Sequence, residues 1–154
     1  VVDEHMRASE DYIYLSKFIE AEDEVDQAIE TQPTNAALYL RRAYIRELNR
    51  QPGLAVEDLL KAKELNPQSA SVHDNLASYY QRYGELNQAI ELQEKAIELH
   101  PYDGFHRMNA ASMYLEKGNL KKAREVLEIL PEIHMNPIER ERYQELLDEI
   151  ETQE

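Results

Sequence analysis

The sequence predicts an all-α array of helical hairpins, and three observations predict it. Ala21, Ala55, Ala89 and Ala123 stand 34 residues apart, and Ala28, Ala62 and Ala96 keep the same period. Pro33, Pro67 and Pro101 repeat in step with them. Charged residues make up 31% of the chain and glycine occurs only four times, a balance that favours helix over sheet. Self-similarity at a fixed spacing marks stacked supersecondary units, and 34 residues is the length of one helix-turn-helix hairpin. The 154 residues are therefore expected to form one elongated domain over 1–154 in which each unit touches only its neighbours.

Proline ends the preceding helix and sits readily in the turn that follows, so the three prolines punctuate the array. The units then run about 2–35, 36–69, 70–103 and 104–137. Within each, a small residue lets the two helices of the hairpin approach closely: Ser9, Ala43, Ala77 and Ala111 share one slot in the first helix. The periodic alanines provide the facing slot in the second. Tyr12, Tyr80 and Tyr114 share a third slot and are expected to fill the space between one hairpin and the next. Gly84 and Gly118 occupy the turn inside the third and fourth hairpins. In the fourth unit Met135 stands where the punctuating proline is expected, and Pro131 is expected to cut the second helix short. Asn136 and Pro137 then read as the N-cap and first position of a last helix, about 137–153. Ile138, Tyr143, Leu146, Leu147 and Ile150 are helically spaced along it, and its other positions are mostly charged. That is the pattern of a terminal cap with a polar outer face. The first unit has no equivalent cap before it and the chain opens Val1-Val2 without Met, as expected of a piece of something longer.

The formal net charge of −14 repels phosphate backbones and anionic headgroups, so nucleic acid and membrane surfaces are not expected partners. The charge is uneven. Residues 1–34 carry ten acids and two bases, whereas residues 35–68 carry four acids and six bases, the only positive unit and the one expected to attract an anionic group. With no Cys there is no disulfide, thiolate nucleophile or Cys-ligated metal. No apolar run approaches the ~20 residues of a membrane span and no signal-peptide pattern is present, so a cytoplasmic, soluble chain is expected.

The residues at these slots carry a resemblance. From about 2 to 135 the chain resembles the tetratricopeptide repeat family, shown best by Leu76, Ala77, Tyr80, Gly84, Ala89, Ala96 and Pro101 of the third unit. The resemblance implies a right-handed superhelix whose concave face is lined by the first helix of each hairpin. The second unit departs from the pattern, with Arg42 where Leu is usual and Arg46 where Tyr is usual. Arg42 is expected to pair with Asp58 inside its hairpin, and Arg46 either to snorkel or to reach the acidic first unit.

The resemblance also implies where a partner binds. The concave positions include the row Arg7, Arg41, Asn75, Asn109, together with Leu40, Tyr44, Ser78, Arg82, Phe105, Met108 and Ser112. Paired asparagines offer donor and acceptor to a peptide main chain, and arginines grip carboxylates bidentately. Leu40, Phe105, Met108 and Leu115 supply apolar contact area. The expected function is thus a scaffold holding an extended or helical segment of a partner protein. The alternatives are a secretion-type chaperone holding an unfolded client, a regulatory or sensory module of a larger protein, or a self-associating structural repeat. A monomer is expected rather than a homo-oligomer. The family's clamp for heat-shock chaperone tails, built of Lys, Asn, Asn, Lys and Arg, falls on Met6, Glu10, Arg41, Ser71 and Asn75, or one unit later on Leu40, Tyr44, Asn75, Phe105 and Asn109. Neither register keeps its lysines, so a co-chaperone of that kind is not expected.

No nucleophile–base constellation appears, and no catalytic residue, cofactor or metal is expected. His100, Asp103 and His106 bracket an inter-repeat turn with ligand-type side chains, but turn and packing roles are the ordinary lot of such histidines. The acidic run Glu20 to Glu24 lacks the glycine and alternating ligands of a calcium loop.

Overall fold

In the computed structural model, which describes residues 1–130 and 135–153, the elements are helices α1 (Val2–Tyr14), α2 (Phe18–Thr31), α3 (Ala36–Leu48), α4 (Pro52–Leu65), α5 (Ala70–Arg82), α6 (Leu86–Leu99), α7 (Gly104–Glu116), α8 (Leu120–Leu127) and α9 (Pro137–Gln153). No strand occurs among the described residues. The chain forms two compact units, Val1–Asn75 and Leu76–Glu154, with the division falling inside α5. In the first unit α1 packs on α2, α2 on α3 and α3 on α4. In the second, α6 packs on α7, α7 on α8, and α9 on both α7 and α8.

The periodic small residues are core throughout. Ala21, Ala55, Ala89 and Ala123 are fully buried, as are Ala28, Ala62 and Ala96, and Ser9, Ala43, Ala77 and Ala111 are buried in the facing slot. Ser9 hides its hydroxyl by donating to the Met6 carbonyl at 2.7 Å on its own helix. The apolar core around these slots is Val25, Leu38 and Ile45 in the first unit. In the second it is Met108, Met113, Leu127, Leu146 and Ile150, with Tyr80, Tyr143 and Leu147 packed against it. Tyr114 is buried, and its hydroxyl donates to the Glu94 carboxylate. Burial and, second to it, that hydrogen bond hold the Tyr114 phenol above its ordinary pKa.

Both kinds of turn repeat with the same atoms. Inside each hairpin the first helix ends in a Schellman pair of hydrogen bonds, here Gly84 N–H to Gln81 C=O at 3.2 Å and Glu85 N–H to Tyr80 C=O at 2.8 Å. The same pair closes at Gly118 and Asn119, at Ser16 and Lys17, and at Arg50 and Gln51. The left-handed position is Gly84 (φ 85°) and Gly118 (φ 74°), but Ser16 (φ 56°) and Arg50 (φ 59°) in the first unit. Nothing lies within 4 Å of a Cβ added at Gly84 or Gly118, so the cost of a side chain there is the backbone conformation alone. Ser16→Gly and Arg50→Gly are each expected to stabilise the chain by about 0.5–1 kcal/mol, read as a higher denaturation midpoint in urea. Gly84→Ala is expected to lower that midpoint.

Between hairpins, Asn35, Ser69 and Asp103 share the N-cap slot, and each accepts a backbone N–H: Ala37 at 3.1 Å, Val72 at 3.3 Å and Phe105 at 2.9 Å. A second slot satisfies the carbonyl of the punctuating proline six residues back. Tyr39 Oη donates to Pro33 O at 2.9 Å, His73 Nε2 to Pro67 O at 2.9 Å and Arg107 Nε to Pro101 O at 2.8 Å. Three unlike side chains do one job, because a carbonyl at a crowded turn needs a donor and all three reach it. Burial pushes the Arg107 guanidinium below its ordinary pKa.

Pro131 lies outside the described residues, but α8 has 8 residues against 14 for α2, α4 and α6. Asn136 and Glu139 form a reciprocal capping box at the start of α9, with Glu139 N–H on Asn136 Oδ1 at 3.0 Å and Asn136 N–H on Glu139 Oε2 at 2.9 Å. Leu146 and Ile150 are buried, as the cap pattern predicts. Ile138 is not part of that face: it is 79% exposed, since it sits in the first turn beside the cap rather than over the core.

Candidate functional site

Three arginines of α3 organise the first unit. Asp58 of α4, 3% exposed, accepts Arg42 Nε and Nη2 at 3.0 and 2.7 Å and Arg46 Nη1 at 2.8 Å. Arg42 Nη1 reaches on to Asp26 at 2.6 Å, and Arg46 Nε to Glu22 at 2.7 Å, both on α2. The bond to Asp58 is the largest cause holding the Arg42 guanidinium above its ordinary pKa, ahead of the burial that opposes it. Arg41 Nη2 meets Glu10 of α1 at 2.7 Å. Arg42 and Asp58 thus pair as the family resemblance implies, and Arg46 takes the contact to the acidic first repeat. The positive second repeat does attract carboxylates, but those paired with Arg41, Arg42 and Arg46 belong to the chain itself.

Beside Arg41 lies an open apolar cavity of about 360 Å³ lined by Met6, Ala37, Leu40, Arg41 and Tyr44. Tyr44 is 50% exposed and Leu40 partly so. Helix spacing explains the grouping, since Ala37, Leu40, Arg41 and Tyr44 recur at three and four residues along one face of α3. Leu40, Arg41 and Tyr44 were expected at such a surface, as was Met6 of α1 in the repeat slot of Leu40; Ala37 completes it from the first turn of α3. Arg7, on α1, is exposed.

Other expected contact residues are placed differently. Asn75 is exposed, and its Nδ2 donates to Ser71 O on its own helix at 2.8 Å. It lies in the first unit and Asn109 in the second. Asn109 Oδ1 accepts from Arg142 Nη2 of α9 at 2.8 Å, and the Arg142 guanidinium lies 5.8 Å from the centre of the Phe105 ring. The last helix therefore uses the residues of α7 that were read as free for a ligand. Met108 is a correction: at 1% exposure it is core, as is Leu115 at 6%. The reason is α9, whose Leu146 and Ile150 join the same apolar cluster. Ser78 and Ser112 are half-buried, and Arg82 is exposed. Arg142 was missed because its register on a mostly charged helix shows only once that helix is docked.

Stacked hairpins with repeating caps and a terminal covering helix define a helical-repeat protein. Residues 70–103 match the family model described as tetratricopeptide repeat. A stretch of 83 residues, 54% of the chain, is 36% identical to the inactive TPR repeat-containing thioredoxin TTL3 of Arabidopsis thaliana, and the match spans 12% of that protein's length. A tetratricopeptide repeat protein from Parabacteroides merdae superposes with a TM-score of 0.83 at 17% identity, covering 99% of this chain and 59% of that one. YrrB, a TPR protein with an unusual peptide-binding site, superposes at 0.72 with 22% identity, covering 94% and 75%. The first TPR of Spaghetti (RPAP3), solved bound to the HSP90 peptide SRMEEVD, does so at 0.67 with 18% identity, covering 76% and 93%. Residues 70–103 are thus similar to a tetratricopeptide repeat, and the chain has the fold of the tetratricopeptide repeat proteins it superposes on. Among the described residues no helix is long and apolar enough to cross a membrane.

Proposed function

We propose that the protein is a non-catalytic interaction scaffold that holds a peptide segment of a partner protein against α3. The observation that carries this reading is the open cavity beside Leu40 and Tyr44. A half-exposed tyrosine next to leucine and methionine is the kind of surface that anchors an apolar side chain of a partner, and aromatic anchors dominate binding energy at such patches. Structures with the same fold that bind peptides support the mode of recognition. Arg41 adds an acceptor-seeking edge: its pair with Glu10, whose side chain is 56% exposed, is a surface contact worth ~0–1 kcal/mol, so a ligand carboxylate displaces Glu10 at little cost.

Selection of peptides from a displayed random library against the purified chain, followed by anisotropy measurements on those enriched, tests the proposal. Enriched peptides are expected to share a large apolar anchor. Leu40→Ala with Tyr44→Ala is expected to weaken them about thirtyfold or more, the loss typical of a hot-spot pair. Equal binding by a folded double variant would remove the cavity from the reading.

A further inference from the structure

We propose that His100, Asp103 and His106 form a site for one divalent transition metal of the zinc class, clipping the end of α6 to the start of α7. One ligand atom from each of the three lies within 4.8 Å of the other two. His100 is the C-cap of α6 and Asp103 the N-cap of α7, and the turn between them is closed by Asp103 N–H on His100 O at 3.1 Å. The backbone that presents the ligands is therefore already ordered.

Each ligand is oriented by something other than a metal. Asp103 commits Oδ1 to the Phe105 N–H at 2.9 Å, which turns Oδ2 toward His106 Nε2 at 3.8 Å. That gap is too long for a hydrogen bond. It is close to the ~3.4 Å that separates two ligands of a tetrahedral zinc with bonds of about 2.0–2.1 Å. The His106 ring is buried, so this ligand loses little freedom on binding. His100 is exposed, its ring centre 6.2 Å from that of His106, and it closes on an ion by side-chain rotation.

The chemistry selects the metal class. Two imidazoles and one carboxylate suit zinc, nickel or copper, with water completing the shell, whereas calcium and magnesium demand more oxygen. Charge attraction alone would not hold an ion here, because Arg107 sits in the same turn, held on Pro101 O at 2.8 Å and Val126 O at 3.1 Å. Imidazole bonding has to outweigh that repulsion, which again excludes the hard cations.

Chelator-stripped chain titrated with Co2+ is expected to develop the visible d–d absorption of a nitrogen–oxygen site at one equivalent, bleached by Zn2+, with calorimetry giving the zinc affinity. Asp103→Asn keeps the cap acceptor and removes the ligand charge, so it is expected to lower affinity more than about tenfold while the melting curve without metal stays put. His100→Ala and His106→Gln are expected to lose at least as much. If His106→Gln does not fold, exposed His100 decides. Absence of a cobalt spectrum at micromolar metal overturns the site, and so does wild-type affinity in His100→Ala and Asp103→Asn, which would place the metal on other histidines.

Discussion

Asp58→Asn is expected to destabilise the first unit by about 3 kcal/mol, although the substitution is nearly isosteric. The carboxylate is 4% exposed and accepts three of the hydrogen bonds made by Arg42 and Arg46, whose side chains are 18% and 14% exposed. Removing its charge leaves two guanidinium groups in a setting where breaking one partner of a buried pair costs ~3–5 kcal/mol. The lower end applies because Arg42 keeps Asp26 and Arg46 keeps Glu22, and Asp26 at least is 45% exposed and well solvated. For a chain of this size the loss corresponds to roughly 6–12 °C in Tm. Amide hydrogen exchange is expected to place the loss in α2, α3 and α4. A change below about 0.5 kcal/mol would show that the network is a surface decoration.

A companion variant separates the need for charge from the need for volume. Moving Arg42, Arg46 and Asp58 forward by one 34-residue period gives Leu76, Tyr80 and Leu92. The triple variant Arg42→Leu, Arg46→Tyr, Asp58→Leu installs the third repeat's own apolar trio in the second. Because well-packed apolar groups replace buried ion pairs at little cost or with a gain, it is expected to recover most of the stability that Asp58→Asn loses.

What was legible in the sequence follows from what repeats. The alanine slots, the prolines and the cap signal Asn136-Pro137 each impose one local geometry, so their spacing alone places the helices and their buried faces. The Schellman turns show the limit of that reasoning. Gly84 and Gly118 announce the left-handed position, but Ser16 and Arg50 hold the same conformation with residues that do not advertise it. The proline-carbonyl slot is less legible still, since Tyr39, His73 and Arg107 share a partner and no chemistry. The contact surface was legible only where no extra element covers it. Leu40 and Tyr44 stay open, whereas the equivalent face of α7 is taken by α9 through Arg142 and Asn109.

Met108 measures that difference. It occupies the slot of Leu40 and Met6, two and three periods earlier respectively, both of which line the open cavity, yet it is 1% exposed. If position in the repeat decided its role, Met108→Ala would weaken a ligand and leave stability within about 0.5 kcal/mol. Packing decides instead, because the side chain belongs to the cluster that holds Leu127, Leu146 and Ile150. Met108→Ala is therefore expected to cost ~2–5 kcal/mol, the transfer free energy of the lost atoms plus the cavity left between α7 and its neighbours. Met108→Leu keeps the volume and is expected to cost under about 1.5 kcal/mol. Denaturant unfolding gives the magnitude. Exchange of the α9 amides gives the mechanism, since a helix docked over Met108 should lose protection together with α7 in Met108→Ala and keep it in Met108→Leu. Unchanged protection in α9 would mean that this helix is held by Arg142 and its polar contacts rather than by the core beneath it.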